Sequence, residues 1–210
     1  SRAAIYCHEF LHKKFAPNAF PNLRPDPIDP VVQEFKNQGF THEKRAIMGL
    51  DAAIPGIIHI AQDLSSTQIQ METAKALLHP EAFIITGAYI GEVAEQELAK
   101  LQGREFIPTQ RVSRPDLVIK MGQRPDGRSA WAPVDIKSHN PIDENKSNTV
   151  FVAPITSILP FDVVPEDGRL DLFDLHQLAH YTRQFQAIGI GNDDLWVGVI
   201  GRNPANCVWA

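Results

Sequence analysis

Cysteine is scarce in this chain: 210 residues hold only Cys7 and Cys207, one near each end. They form no C-x-x-C pair and supply no set of structural zinc ligands. No disulfide framework is expected, and a cytoplasmic location is the matching expectation. No apolar run approaches the roughly 18 residues of a membrane helix, so no membrane partner is expected. The opening Ser1-Arg2-Ala3-Ala4-Ile5-Tyr6-Cys7 lacks the long apolar core of a signal peptide. It also lacks an initiator Met, and the other end follows closely on an apolar segment. The chain is therefore expected to be a piece of a longer protein. A surplus of positive charge is missing as well, because the formal net charge is −5. That argues against a broadly basic, histone-like binder. It leaves room for an enzyme with a local basic groove, since binding follows local potential. Internal repeats and low-complexity tracts are absent.

The length suits one domain with a full core, and a single domain over 1–210 is expected. Residues 16–30 are rich in Pro and Asn and read as loop. Asp29-Pro30 offers an N-cap with Pro at the first helical position, so a helix is predicted over 30–50. Gly39 falls inside it and signals a close approach or a break. A short strand follows at 57–61, then a helix over about 67–79, capped by Ser65 or Ser66 and ended by Pro80. Residues 82–90 form a strong strand candidate. Residues 92–101 have good helix formers but weak periodicity, and their state is left open. Strands are predicted at 116–121 and 130–138, a helix at 171–188 capped by Asp171 or Asp174, and a last strand at 195–200. Residues 139–170 are long for a connection and are expected to form a loop or lid insertion. This order predicts an α/β fold, with helices flanking a central mixed β-sheet.

Two carboxylates and a lysine are delivered by the paired strands. The first set reads Arg114-Pro115-Asp116 and the second Val134-Asp135-Ile136-Lys137. Between them Arg124-Pro125-Asp126-Gly127-Arg128 is a turn sequence: Pro presets φ and Gly takes a positive φ. Residues i and i+2 of a strand share a face, so Asp135 and Lys137 point the same way and Ile136 points into the opposite layer. A hairpin partner can bring Asp116 beside Asp135. Two oxygen donors with open positions suit Mg²⁺ or Mn²⁺. Such an ion lowers the pKa of a bound water and stabilises charge on a phosphate oxygen. A D-x-K triplet alone is a weak signal, because surface strands often carry such pairs as solvated ion pairs. Downstream, Gln177 and Tyr181 are one helical turn apart and project together. A Gln amide and a phenol can both hydrogen-bond phosphate oxygens. His176 and His180 lie off that stripe and read as ordinary polar-face or packing residues. Residues 104–128 also hold six basic side chains against three acidic ones, a local excess that suits a phosphate-bearing substrate.

In this order the residues resemble the active site of the PD-(D/E)XK nucleases, in particular their RecB-like branch, which includes CRISPR-associated RecB-like exonucleases. The resemblance spans residues 39–181. It implies a restriction-endonuclease-like core, DNA as partner, Mg²⁺ or Mn²⁺ as cofactor and metal-dependent hydrolysis of DNA phosphodiester bonds. RecB-like nucleases carry a helix with Gly and, four residues on, a His or Glu at the metal. Here that places Glu43, or its neighbour His42, in the metal set with Asp116 and Asp135, and Ile136 is counted with them. Lys137 is implied to position the attacking water, and Gln177 and Tyr181 to support the phosphate and the site. The middle acid is Asp135 where Glu is commoner, which shortens its reach. Cys7 resembles the first cysteine of RecB-like proteins that hold an iron–sulfur cluster. Those need four cysteines, so an iron–sulfur cluster is not expected here. The alternative to an enzyme is a catalytically silent nuclease-fold module that binds nucleic acid or a protein partner. A further alternative has the 139–170 insertion dock onto a larger DNA-processing assembly.

Overall fold

The computed structural model describes residues 30–143 and 148–210. The loop at 16–30 (up to Asp29), the Asp29 cap and Cys7 lie outside the described residues. The chain divides into two units, residues 1–37 and 38–210, and the sheet and its layers belong to the second.

Helix α1 spans Pro30–Ala53. It runs through Gly39 without a break, and open space surrounds that glycine, so Gly39 marks neither of the two features expected of it. Strand β1 (Ile57–His59), helix α2 (Ser66–Leu78) and strand β2 (Ile84–Thr86) form a β-α-β unit with parallel strands. Helix α2 starts at a capping box: Ser65 Oγ accepts from Gln68 N at 3.3 Å, and Gln68 Oε1 accepts from Ser65 N at 3.1 Å. Strand β2 is shorter than the predicted 82–90 because Gly87 turns the chain at φ +68°. Helix α3 (Glu92–Leu101) resolves the undecided segment. It buries Ala94 and Leu98, so packing supplies the stability that a weak pattern does not advertise.

Strands β3 (Leu117–Gln123) and β4 (Ser129–Ile136) form the predicted antiparallel hairpin. Its turn is closed by Gly127 N on Arg124 O at 2.9 Å, with Gly127 at φ +80°. Residues 139–170, expected as loop or lid, instead carry four strands: β5 (Ile142–Asp143), β6 (Thr149–Pro154), β7 (Pro165–Asp167) and β8 (Arg169–Leu170). The apolar stretch 150–159 is the reason, since β6 lies against β10 in the main sheet. Helix α4 (Leu172–Ala187) is capped by Asp171, which accepts from Phe173 N at 2.9 Å. Strands β9 (Gly198–Ile200) and β10 (Asn206–Trp209) complete the set.

Eight strands make one mixed sheet in the order β1-β2-β3-β4-β9-β10-β6-β7, and β5 pairs with β8 apart from it. The class is α/β, a large mixed sheet flanked by helices. Alternation along the strands feeds two cores. Ile85, Val118, Trp131 and Val199 meet α2, α3 and α4 on one face. Ile84, Leu117, Ile119, Ala132 and Val134 meet Ala46 and Leu50 of α1 on the other. Strand β4 lies inside the sheet between β3 and β9 and is buried almost throughout. Any polar side chain on it is taken out of water, and that placement creates the site.

Candidate active site

The β3–β4 register pairs Leu117 with Val134. Continued by one residue, it sets Asp116 opposite Asp135. Both fall on the side-chain parity of Val118 and Trp131, the face covered by α4. Asp135 is only 1% exposed. Both of its carboxylate oxygens are buried without a well-aligned hydrogen-bond donor. The Lys137 ammonium stands 3.0 Å from Asp135 Oδ2 as an ion pair.

From Lys137 a chain of contacts runs through the remaining residues. Lys137 Nζ donates to Gln177 Oε1 at 3.0 Å, and Gln177 Nε2 donates to the Tyr181 hydroxyl at 2.7 Å. That hydroxyl donates to the main-chain oxygen of Arg114 at 3.3 Å. The route thus returns to the segment that begins β3. Ile136 has its side chain in the opposite core, and its N–H donates to Asp116 Oδ2 at 2.6 Å. Only its carbonyl oxygen is left as a donor to a cation.

The two α1 candidates separate. His42 Nε2 donates to Gly201 O at 2.9 Å. Glu43 shares a cleft with Asp116, and its carboxylate interacts electrostatically with both aspartates. Residues 42 and 43 are about 100° apart on a helix, so one faces the acids and the other does not.

Burial is the main cause of the acids' altered acidity. It pushes Asp116 up to about 7, helped by the Asp135 charge and opposed by the Ile136 N–H. Burial also raises Asp135, against the pull of Lys137. Glu43 is raised by burial and then by Asp135. For Lys137 burial works downward, but the neighbouring carboxylates, Asp135 first, outweigh it and hold the pKa above the ordinary lysine value. Burial and the nearby aspartates push Tyr181 up to about 12. The site therefore joins a persistent ammonium to carboxyls that gain from a cation.

The unpartnered Asp135 Oδ1 fits a hard divalent ion, which takes carboxylate and carbonyl oxygens. Among the described residues, no three His, Cys, Asp or Glu side chains gather closely enough to form a metal cluster. Cys207 is buried in the core, and burial pushes its thiol up.

Two residues missed in the sequence join the surroundings. Asp174 on α4 is buried and accepts from His139 Nε2 at 2.8 Å. Its charge reaches Lys137 and Asp135. A signal was present: Asp174 lies one turn before Gln177, and His139 lies two residues beyond Lys137. His180, expected as a polar-face or packing residue, donates from Nε2 to Val112 O at 3.1 Å. His176 is exposed.

The basic strip does not hold its charges free. Arg104 donates to Ile188 O at 2.7 Å, Lys120 to Pro80 O at 3.1 Å, and Arg128 Nε to Asp126 at 2.9 Å. Arg124 donates to Gly191 O and pairs with Asp193. Arg114 instead lies over the Tyr89 ring.

No family model, curated protein or solved structure matches the chain. Among the described residues, no helix is long and apolar enough to cross a membrane.

Proposed function

We propose that this protein is a metal-dependent deoxyribonuclease that hydrolyses DNA phosphodiester bonds at the Asp116–Asp135–Lys137 site. One observation carries the reading: a buried Asp135, faced by Asp116, with Oδ2 paired to Lys137 at 3.0 Å and Oδ1 left without a partner. Asp116, Asp135, Glu43 and the Ile136 carbonyl would hold Mg²⁺ or Mn²⁺. When bound, such an ion supplies an acidified water and a charge that stabilises the phosphoryl oxygens. Lys137 is placed to orient a water or a phosphoryl oxygen. Gln177 holds that ammonium in place, and Tyr181 fixes Gln177. The family that the residues resemble, the RecB-like PD-(D/E)XK nucleases, uses the same residue types in the same order.

The test is cleavage of linear and circular DNA, single- and double-stranded, with Mn²⁺. Cleavage is expected with wild type, and its loss in Asp135→Ala and Lys137→Ala, each still folded by circular dichroism. Activity untouched by both changes overturns the reading. A second reading, a silent nuclease-fold module, draws on the Lys137–Asp135 ion pair, which neutralises the acid without a cation. Calorimetry separates the two. No heat with Mn²⁺, together with DNA affinity that persists in chelator, selects the silent module.

A further inference from the structure

A small cleft opens beside Asp116. Its volume is about 150 Å³, and Glu43, Gln62, Gly87, Tyr89, Arg114 and Asp116 contribute to its lining. Pockets for drug-sized ligands begin at roughly 300 Å³, so this cleft admits a single ring system and is too small for a base pair.

Its wall is a built stack. The Arg114 guanidinium carbon lies 3.8 Å from the centroid of the Tyr89 ring, and the arginine side chain is exposed. One face of the guanidinium is backed by the phenol. A planar guanidinium held this way stacks on flat π systems as an ammonium cannot. Unpaired bases stack on arginine planes and on aromatic rings. Gln62 also lines the cleft, and its Nε2 donates to Ile60 O and Gly87 O, both at 2.9 Å. The amide is thereby locked across the turn. Gly87 permits this lock, since a Cβ at that position would run into Gln62 Nε2. The stack is tied to the site twice: Arg114 is two residues from Asp116, and its main-chain oxygen accepts from the Tyr181 hydroxyl.

We propose that this cleft is a nucleobase-binding subsite, in which the Arg114 plane, backed by Tyr89, takes the base of an unpaired nucleotide. The identity of the ligand rests on the nuclease reading; the stacking surface itself needs neither cation nor hydrolysis. A base seated in the cleft has left its partner, so a duplex end is expected to fray before a nucleotide is seated.

The experiment is binding in chelator, followed by fluorescence anisotropy with a labelled single-stranded oligodeoxynucleotide, its blunt duplex, and the same strand carrying abasic positions. Wild type is expected to prefer the single strand over both others. Arg114→Lys keeps the charge and removes the plane. It is expected to weaken single-strand binding about tenfold, within the range for loss of one stacked base, and to leave the abasic strand unchanged. Tyr89→Leu should act in the same direction, with both variants folded by circular dichroism. The inference is overturned if the wild-type chain binds single strand and duplex alike, if abasic positions make no difference, or if Arg114→Lys binds as wild type does. The nuclease reading fails separately: base-dependent binding without Mn²⁺-dependent cleavage removes the enzyme and keeps the subsite, while cleavage with base-blind binding does the reverse.

Discussion

At the residue scale the site consists of short links whose partners are far apart in the chain. Lys137 illustrates the balance. An ammonium is costly to bury, yet this one sits between the Asp135 carboxylate and the Gln177 amide, 3.0 Å from an oxygen of each. The neighbouring carboxylates win over desolvation, and the charge persists. The Tyr181 hydroxyl serves as a tie between segments, accepting from Gln177 Nε2 and donating to Arg114 O. Tyr181→Phe keeps the ring in the core and removes both bonds. A loss of about 1 kcal/mol in stability is expected, the usual worth of such bonds, read from urea unfolding. Turnover should fall by less than in Lys137→Ala, because Gln177 can still meet the ammonium. Equal loss in the two variants would show that the hydroxyl acts on the reacting groups directly.

At the element scale the decisive unit is the β3–β4 hairpin. Its register sets Asp116 against Asp135, and a slip of one residue would send one of them to the opposite face. The turn helps hold that register. Gly127 sits at φ +80°, a conformation that costs a β-branched residue on the order of 1–3 kcal/mol. Gly127→Val should lower the urea midpoint accordingly. Cleavage per folded molecule should persist, since the turn lies at the far end of the hairpin from the acids. A variant as stable as wild type would show that the sheet on either side, β2 and β9, suffices to fix the register.

At the scale of the whole molecule, buried acids make folding sensitive to pH. Asp116 has an ordinary value of 3.8 and is raised to about 7 in the fold. Between those values the folded state keeps a proton that the unfolded chain has lost, so stability falls as pH rises through that window. Asp135 and Glu43 are raised as well and act in the same direction. Asp116→Asn removes one of these charges and can still accept from Ile136 N–H. In chelator its melting temperature should exceed that of wild type at about pH 8 and approach it at about pH 4. A cation that binds only the folded state should raise the wild-type value by mass action, and the variant's by less. A wild-type melting temperature flat across this window would mean that Asp116 titrates normally. Such destabilised carboxyls are what a binding site accepts in exchange for affinity.

Much was legible in the chain itself. The Pro125-Asp126-Gly127 turn marks the hairpin, and the period of two puts Asp135 and Lys137 on one face. The i, i+4 spacing likewise pairs Gln177 with Tyr181. These are local rules, and local geometry enforces them. The choice of Glu43 over His42 toward the acids needed the packing of α1, because one helical step changes direction by about 100°. Strand β6 needed β10 as a partner, since a strand's pairing is chosen by what lies beside it. The Tyr89–Arg114 stack joins segments that no spacing relates. Sequence alone determined which side chains share a face, because chain geometry repeats. Only the tertiary structure decided which faces meet, because that depends on the burial of the whole sheet.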